Sequence, residues 1–166
     1  VELRANVEEV VAGFALTKFG SAPTKFDADD LGPLTARHLA TLAAADVADV
    51  LVSAGVPDDL AEPFWNVVRD NINSLDDVAG WWALFRDGPT PLIADEDRDF
   101  VEQAFELLPP LPYGPQTWGQ WTSAVKEATG RKGKGLFMPL RKAVTGRERG
   151  PEMADVMPLL QKKPGV

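Results

Sequence analysis

Residues 58–91 read DDLAEPFWNVVRDNINSLDDVAGWWALFRDGPTP. Across 58–71 the apolar residues Leu60, Phe64, Val67 and Val68 fall on one face at helical spacing, and Asp58-Asp59 stands at the start, where carboxylates meet free N–H groups and the positive end of the helix dipole. A second helix is predicted over 74–86, with Ser74 as its N-cap and Trp81, Trp82 and Phe85 as anchors. Asp87-Gly88-Pro89-Thr90-Pro91 then places two prolines and a glycine within five residues, which no helix or strand interior tolerates. The stretch is two amphipathic helices followed by a boundary.

Helical spacing continues on both sides. Upstream, 7–19 carries Val10, Val11, Phe14 and Phe19 on or near one face. Pro33 suits a first helical turn, and an Ala/Leu/Val-rich region over 34–54 bends near Ala45-Asp46 and ends at Gly55-Val56-Pro57. Downstream, 95–108 is amphipathic through Phe100, Phe105 and Leu108; the linker LPPLPYGP (108–115) reads as extended; and 116–129 presents Trp118, Trp121 and Val125 before Gly130. Leu136, Phe137, Leu140 and Val144 form the apolar side of a short helix that should start at about Phe137, so that Pro139 lies in its first turn, and that Gly146 ends. A last helix is predicted from Pro151-Glu152, presenting Met153, Val156, Met157 and Leu160. No stretch alternates β-branched residues over a strand's length, so the class is all-α without a sheet. The division expected is 1–22 as a connection to a preceding domain, 23–91 as a first helical part and 92–166 as a second.

Composition narrows the chemistry. With 45% apolar and 25% charged residues the 166-residue chain is globular, and no apolar run reaches the length of a bilayer span. Without an initiator Met, and entering directly into an amphipathic run, it reads as part of a longer cytoplasmic protein. The absence of cysteine and the presence of a single histidine, His38, exclude disulfides, thiolate nucleophiles and the usual zinc sets. His38 has no partner residue in sequence that would make it a general acid or base, and reads as structural. The acidic clusters Asp29-Asp30, Asp58-Asp59, Asp76-Asp77 and Asp95-Glu96-Asp97 each fall at a predicted helix start, where capping explains them better than metal binding does. The five tryptophans sit at helical positions or beside other aromatics and read as core anchors.

Charge is segregated. Between Lys126 and Arg149 stand eight basic residues and two acidic ones, a local balance of +6 in a chain of net charge −8. GRKGKG (130–135) lacks the Lys-Ser or Lys-Thr that would complete a nucleotide phosphate loop, since Leu136-Phe137 follows. No catalytic residue and no metal ligand is assigned. Arg131, Lys132 and Lys134 on one side and Arg147 and Arg149 on the other instead make two basic loops flanking one helix, backed by Arg141 and Lys142, a surface suited to phosphates because each neutralised cation releases counterions. An acidic protein partner is the alternative that charge alone leaves open.

TGRKGKGLFMPLR (129–141), followed by AVTG (143–146) and GPE (150–152), resembles the C-terminal signature of bacterial glutamyl-tRNA synthetases. Phe26-Asp27 with Leu31 and Leu34 is similar to a second family element, with Thr35 where the family usually has Asn, and Trp118, Trp121 and 122–126 fit the helix that precedes the signature. The resemblance covers essentially the whole chain. It implies an all-helical, two-part anticodon-binding region, with the catalytic half, its ATP and its magnesium belonging to the parent enzyme and no aminoacylation by this portion alone. The implied partners are the tRNA for glutamate, with that for glutamine as the wider alternative, and a covalently linked catalytic domain, in a monomer. It also implies that the loop at Gly150, Pro151 and Met153 reads anticodon bases through backbone groups and an apolar contact. Where some members carry an arginine for the third base, the matching position here is Asn71, with Arg69 two residues earlier; an amide offers a donor and an acceptor but neither the charge nor the planar fork of a guanidinium.

Overall fold

The computed structural model describes residues 7–18 and 31–165. Among them the chain forms nine α-helices linked by short 3₁₀ turns, and no strand. In order these are α1 (Val7–Ala12), α2 (Leu31–Leu39), α3 (Ala48–Ser53), α4 (Asp58–Val68), α5 (Asp77–Asp87), α6 (Arg98–Glu106), α7 (Thr117–Thr129), α8 (Lys134–Thr145) and α9 (Met153–Val156). The all-α class is therefore observed. Pro33 lies in the first turn of α2, and Gly130 and Gly146 end α7 and α8 where the sequence places helix stops. Phe19, Phe26, Asp27 and Asp29-Asp30 lie outside the described residues.

Four local expectations need correction. The first helix stops at Ala12 instead of continuing to 19, because Gly13 follows; Phe14 is exposed. Ser74 is not the cap of α5. Its Oγ accepts from the Asp76 N–H at 3.2 Å, while Asp77 Oδ2 takes the N–H groups of Asn73 and Ser74 at 2.8 and 3.1 Å, so the helix starts at Asp77. The last helix is a single turn that tightens into 3₁₀ geometry over Met157–Leu159, where Pro158 offers no N–H.

The fourth correction concerns the basic helix. α8 begins at Lys134, three residues before Phe137, so Pro139 lies inside it. A proline there leaves the carbonyl four residues earlier without its N–H partner. That carbonyl belongs to Gly135, and Arg131 Nη1 donates to it at 3.3 Å. The early start also rotates Phe137 out of the core: Leu136 and Leu140, four apart, define the buried face, whereas Phe137 is 45% exposed.

The core runs through both halves of the chain. Phe64 meets Trp82 and Phe85 edge-on at 5.5 and 5.7 Å between ring centroids, the geometry that brings the positive ring edge to the negative face. Trp121 stacks on Phe105 at 5.8 Å and donates Nε1 to the Ala104 carbonyl at 2.7 Å, which satisfies the one polar atom of a buried indole. Full burial of side chains such as Phe64, Leu140 and Met157 contributes about 1.5–3 kcal/mol each. A backbone hydrogen bond from Gln161 N–H to the Phe85 carbonyl at 2.8 Å ties the two parts together, and another joins Leu92 N–H to the Lys142 carbonyl at 3.4 Å. The first holds the segment after α9 against α5, and the second holds the segment after α5 against α8.

Candidate nucleic-acid interface

The loop after α8 is built on Trp81. Trp81 is a core residue of α5, and the Arg147 guanidinium lies over its ring at 4.0 Å from the centroid. Thr145 positions that arginine: its hydroxyl donates to the Arg141 carbonyl at 2.7 Å and accepts the Arg147 N–H at 3.1 Å, which turns the chain directly after the helix. Gly146 is required by the turn. Its φ is +64°, and a Cβ there would sit 2.8 Å from the Thr90 carbonyl oxygen.

Gly150 closes on the same tryptophan. A Cβ at Gly150 would stand 3.2 Å from the Trp81 ring and 3.6 Å from Arg141 Nη1. Arg141 also donates Nη2 to the Pro151 carbonyl at 3.0 Å, pinning the loop's backbone. Arg147 and Gly150 thus pack on one indole, and Arg141 ties the Gly150-Pro151 backbone beside it. Beside them runs an open groove of about 340 Å³ lined by Gly80, Ala83, Gly88, Thr90, Gly146 and Arg147, whose small residues leave backbone accessible.

The other predicted site residues take different places. Met153 is 3% exposed and Pro151 is buried, so their side chains belong to the core, while Arg147, Glu148, Arg149 and Glu152 are the exposed residues of the loop. Asn71 is half-buried in the 3₁₀ turn after α4. Arg69 donates Nη1 to the Leu42 carbonyl at 3.3 Å, the oxygen that also accepts Trp65 Nε1 at 2.8 Å. The guanidinium of Arg69 is held toward the turn that follows α2.

Of the seven basic residues, Arg141 and Arg147 belong to the loop on Trp81, and the other five divide into two sets. Arg131 pairs with Asp97 at 2.5 Å and lies over the Phe100 ring at 4.0 Å, so it braces α8 against α6. Lys142 pairs with Glu148 at 2.6 Å; this hydrogen bond and the lysine's charge hold the Glu148 carboxyl below its ordinary range, with smaller help from Lys134 and Arg149. Lys132, Lys134 and Arg149 are exposed, and their side chains make no hydrogen bond or ion pair among the described residues. These three point the least committed positive charge at solvent.

Several residues that shape the surface carry no basic or glycine signature. Trp81 reads from sequence as a core anchor and serves also as the platform under Arg147. Thr145 is marked only by its place just before a helix-ending glycine, a common site for a hydroxyl that caps a turn. Thr90 lies in the predicted boundary and has no local signal. His38 is exposed on α2, and among the described residues no group of three or more His, Cys, Asp or Glu could hold a metal ion. No described helix is long and apolar enough to cross a membrane.

The chain is similar in sequence to known proteins. The family described as the anticodon binding domain matches residues 39–164. Glutamate–tRNA ligase 2 of Jannaschia sp. (strain CCS1) is 67% identical over 164 residues, covering 99% of this chain and 36% of that protein. Glutamate–tRNA ligase 1 of Ruegeria pomeroyi is 63% identical over 161 residues, covering 97% of this chain and 36% of that protein. The chain therefore spans about a third of the length of the curated relatives it matches. Among solved structures, glutamate-tRNA synthetase from Elizabethkingia anophelis superposes with a TM-score of 0.65 at 18% identity, over 92% of this chain and 33% of that one, a likeness of fold. With the family match covering most of its length and the predicted helical architecture in place, the chain belongs to the anticodon-binding domain family.

Proposed function

We propose that this chain is the anticodon-arm recognition module of a glutamate–tRNA ligase. The parent enzyme attaches glutamate to its tRNA in the cytoplasm, as a monomer, using ATP and magnesium held by its catalytic part. Neither is assigned to this chain's own residues: GRKGKG (130–135) lacks the Lys-Ser or Lys-Thr of a phosphate loop, and among the described residues no group of three or more His, Cys, Asp or Glu could hold a metal ion. The chain works in two helical parts, 23–91 and 92–166, with 1–22 as the connection to the catalytic domain.

The observation that carries this reading is the bracing of the Gly150-Pro151 backbone by Arg141 against Trp81, beside an open groove and exposed cations. Unpaired bases of an RNA loop present edges and faces that a fixed backbone can meet, while Lys132, Lys134 and Arg149 position phosphates. Arg141 and Arg147 shape the loop, and Arg131 and Lys142 support the helix that carries it. Asn71 takes the third-base position with an amide, so the tRNA for glutamine is the natural competitor against which to measure selectivity.

The test uses the intact ligase. Lys132→Ala with Lys134→Ala should weaken binding of glutamate tRNA and lower the slope of log affinity against log salt by about 1.4–1.8, two phosphate contacts' worth. Unchanged affinity and slope would remove the phosphate role.

A further inference from the structure

Phe137 is out of place as a core residue. Its ring is 45% exposed, and with Phe14 it provides the aromatic members of the exposed large apolar side chains among the described residues. The ring is nevertheless fixed from behind. Its centroid lies 6.5 Å from that of half-buried Trp118, whose own ring meets buried Trp121 edge-on at 5.5 Å. Two χ angles and a backing indole make Phe137 a stiff aromatic surface, which loses little entropy when something stacks on it.

Its neighbours along α8 give the surface a direction. Lys134, Phe137 and Arg141 follow at i, i+3 and i+7, so they share one face of the helix. The last of them reaches the Pro151 carbonyl in the loop packed on Trp81. At 1.5 Å of rise per residue, Phe137 stands about 6 Å and Lys134 about 10 Å along the axis from Arg141, a span that a few nucleotides of a single strand cover. The charges also sort themselves. Arg131 is committed to Asp97 and Lys142 to Glu148, while Lys134, one turn before Phe137 on α8, and Lys132, in the loop that leads into the helix, make no ion pair. A ring flanked by unpaired cations matches a polyanion that carries flat apolar groups, which is single-stranded nucleic acid.

We propose that an unpaired base of the anticodon arm, adjacent to those met by the 150–153 loop, stacks on Phe137, with Lys134 and Lys132 on its flanking phosphates. The contact rests on the reading of this chain as a tRNA anticodon module and adds a second, sequence-tolerant site to it. Every base has a π-face, so the site supplies affinity and register and leaves base identity to the loop.

The experiment takes the full-length ligase and glutamate tRNA bearing 2-aminopurine at one anticodon-loop position at a time. With the unmodified enzyme, fluorescence at one of those positions should be quenched on binding. Phe137→Leu, which keeps the apolar volume and removes the π-face, should abolish that quenching and weaken tRNA binding by about tenfold; Phe137→Trp should keep both. Thermal melting of the variants should match the unmodified protein, as expected for an exposed side chain. If Phe137→Leu changes neither fluorescence nor affinity while the Lys132→Ala, Lys134→Ala variant still binds tRNA weakly, stacking is overturned and the anticodon role stands. Equal loss of affinity in both Phe137 variants with no quenching at any position also overturns it. Failure of the unmodified ligase to bind the tRNA overturns both.

Discussion

At Gly146 the backbone has no alternative residue. The φ of +64° disfavours any side chain, and the Thr90 carbonyl oxygen occupies the place of a Cβ at 2.8 Å. Gly146→Ala should therefore destabilise the protein by more than about 1 kcal/mol and lower the melting temperature by at least about 3 °C. Glu148 offers a second test at this scale. Its carboxyl is held below its ordinary range by the hydrogen bond from Lys142 and then by that lysine's charge. A lowered folded-state pKa means that the pair's contribution is fully present above the unfolded glutamate pKa and is lost as pH falls through the lower, folded value. Carboxyl chemical shifts followed by NMR should give Glu148 a midpoint below that of ordinary glutamates, and Lys142→Ala should return it upward. An unshifted midpoint in the unmodified protein would contradict the pairing.

At the scale of the element, α8 shows why some features are legible in sequence and others are not. Its apolar spacing and its end at Gly146 follow from local periodicity and punctuation. Its beginning does not, because Pro139 is accommodated by a group outside the helix: Arg131, whose Nη1 donates to the Gly135 carbonyl. The role of Arg131 is equally hidden, since its partner Asp97 lies 34 residues away. Local composition groups all seven cations together, and only tertiary contacts separate those that brace from those that face solvent. That separation predicts different responses. Arg131→Ala should cost about 1–3 kcal/mol of stability, through the lost pair, the stacking on Phe100 and the unsatisfied carbonyl, and should leave the salt dependence of tRNA binding nearly unchanged. Thermal melting and salt titration of the same variant check both halves of that statement. A reduced salt slope with unchanged melting would return Arg131 to the phosphate-facing set.

Across the whole molecule, helical class was readable from 58–91 outward because helices here are defined by local spacing, whereas the meeting of Trp81 with Arg147 and Gly150 is long-range. The basic segment does not cancel against the acidic remainder of the chain. Asp77 at the start of α5 accepts two backbone N–H groups, whereas Asp58 and Asp59 lie in the first turn of α4 without the side-chain cap hydrogen bond expected of them; the carboxylates at 97 and 148 neutralise two of the cations, leaving Lys132, Lys134 and Arg149 exposed. The first half of the chain supplies the indole and the groove wall; the second supplies the loop. The most direct test of this joint surface compares the affinity of the full-length ligase for glutamate tRNA with that for the same tRNA carrying a replaced anticodon. Replacement should weaken binding at least about tenfold, the scale of one lost base contact. Gly150→Ala, which pushes a methyl group against Trp81 and Arg141, should shrink that difference. Equal affinities for the two tRNAs in the unmodified enzyme would contradict the account.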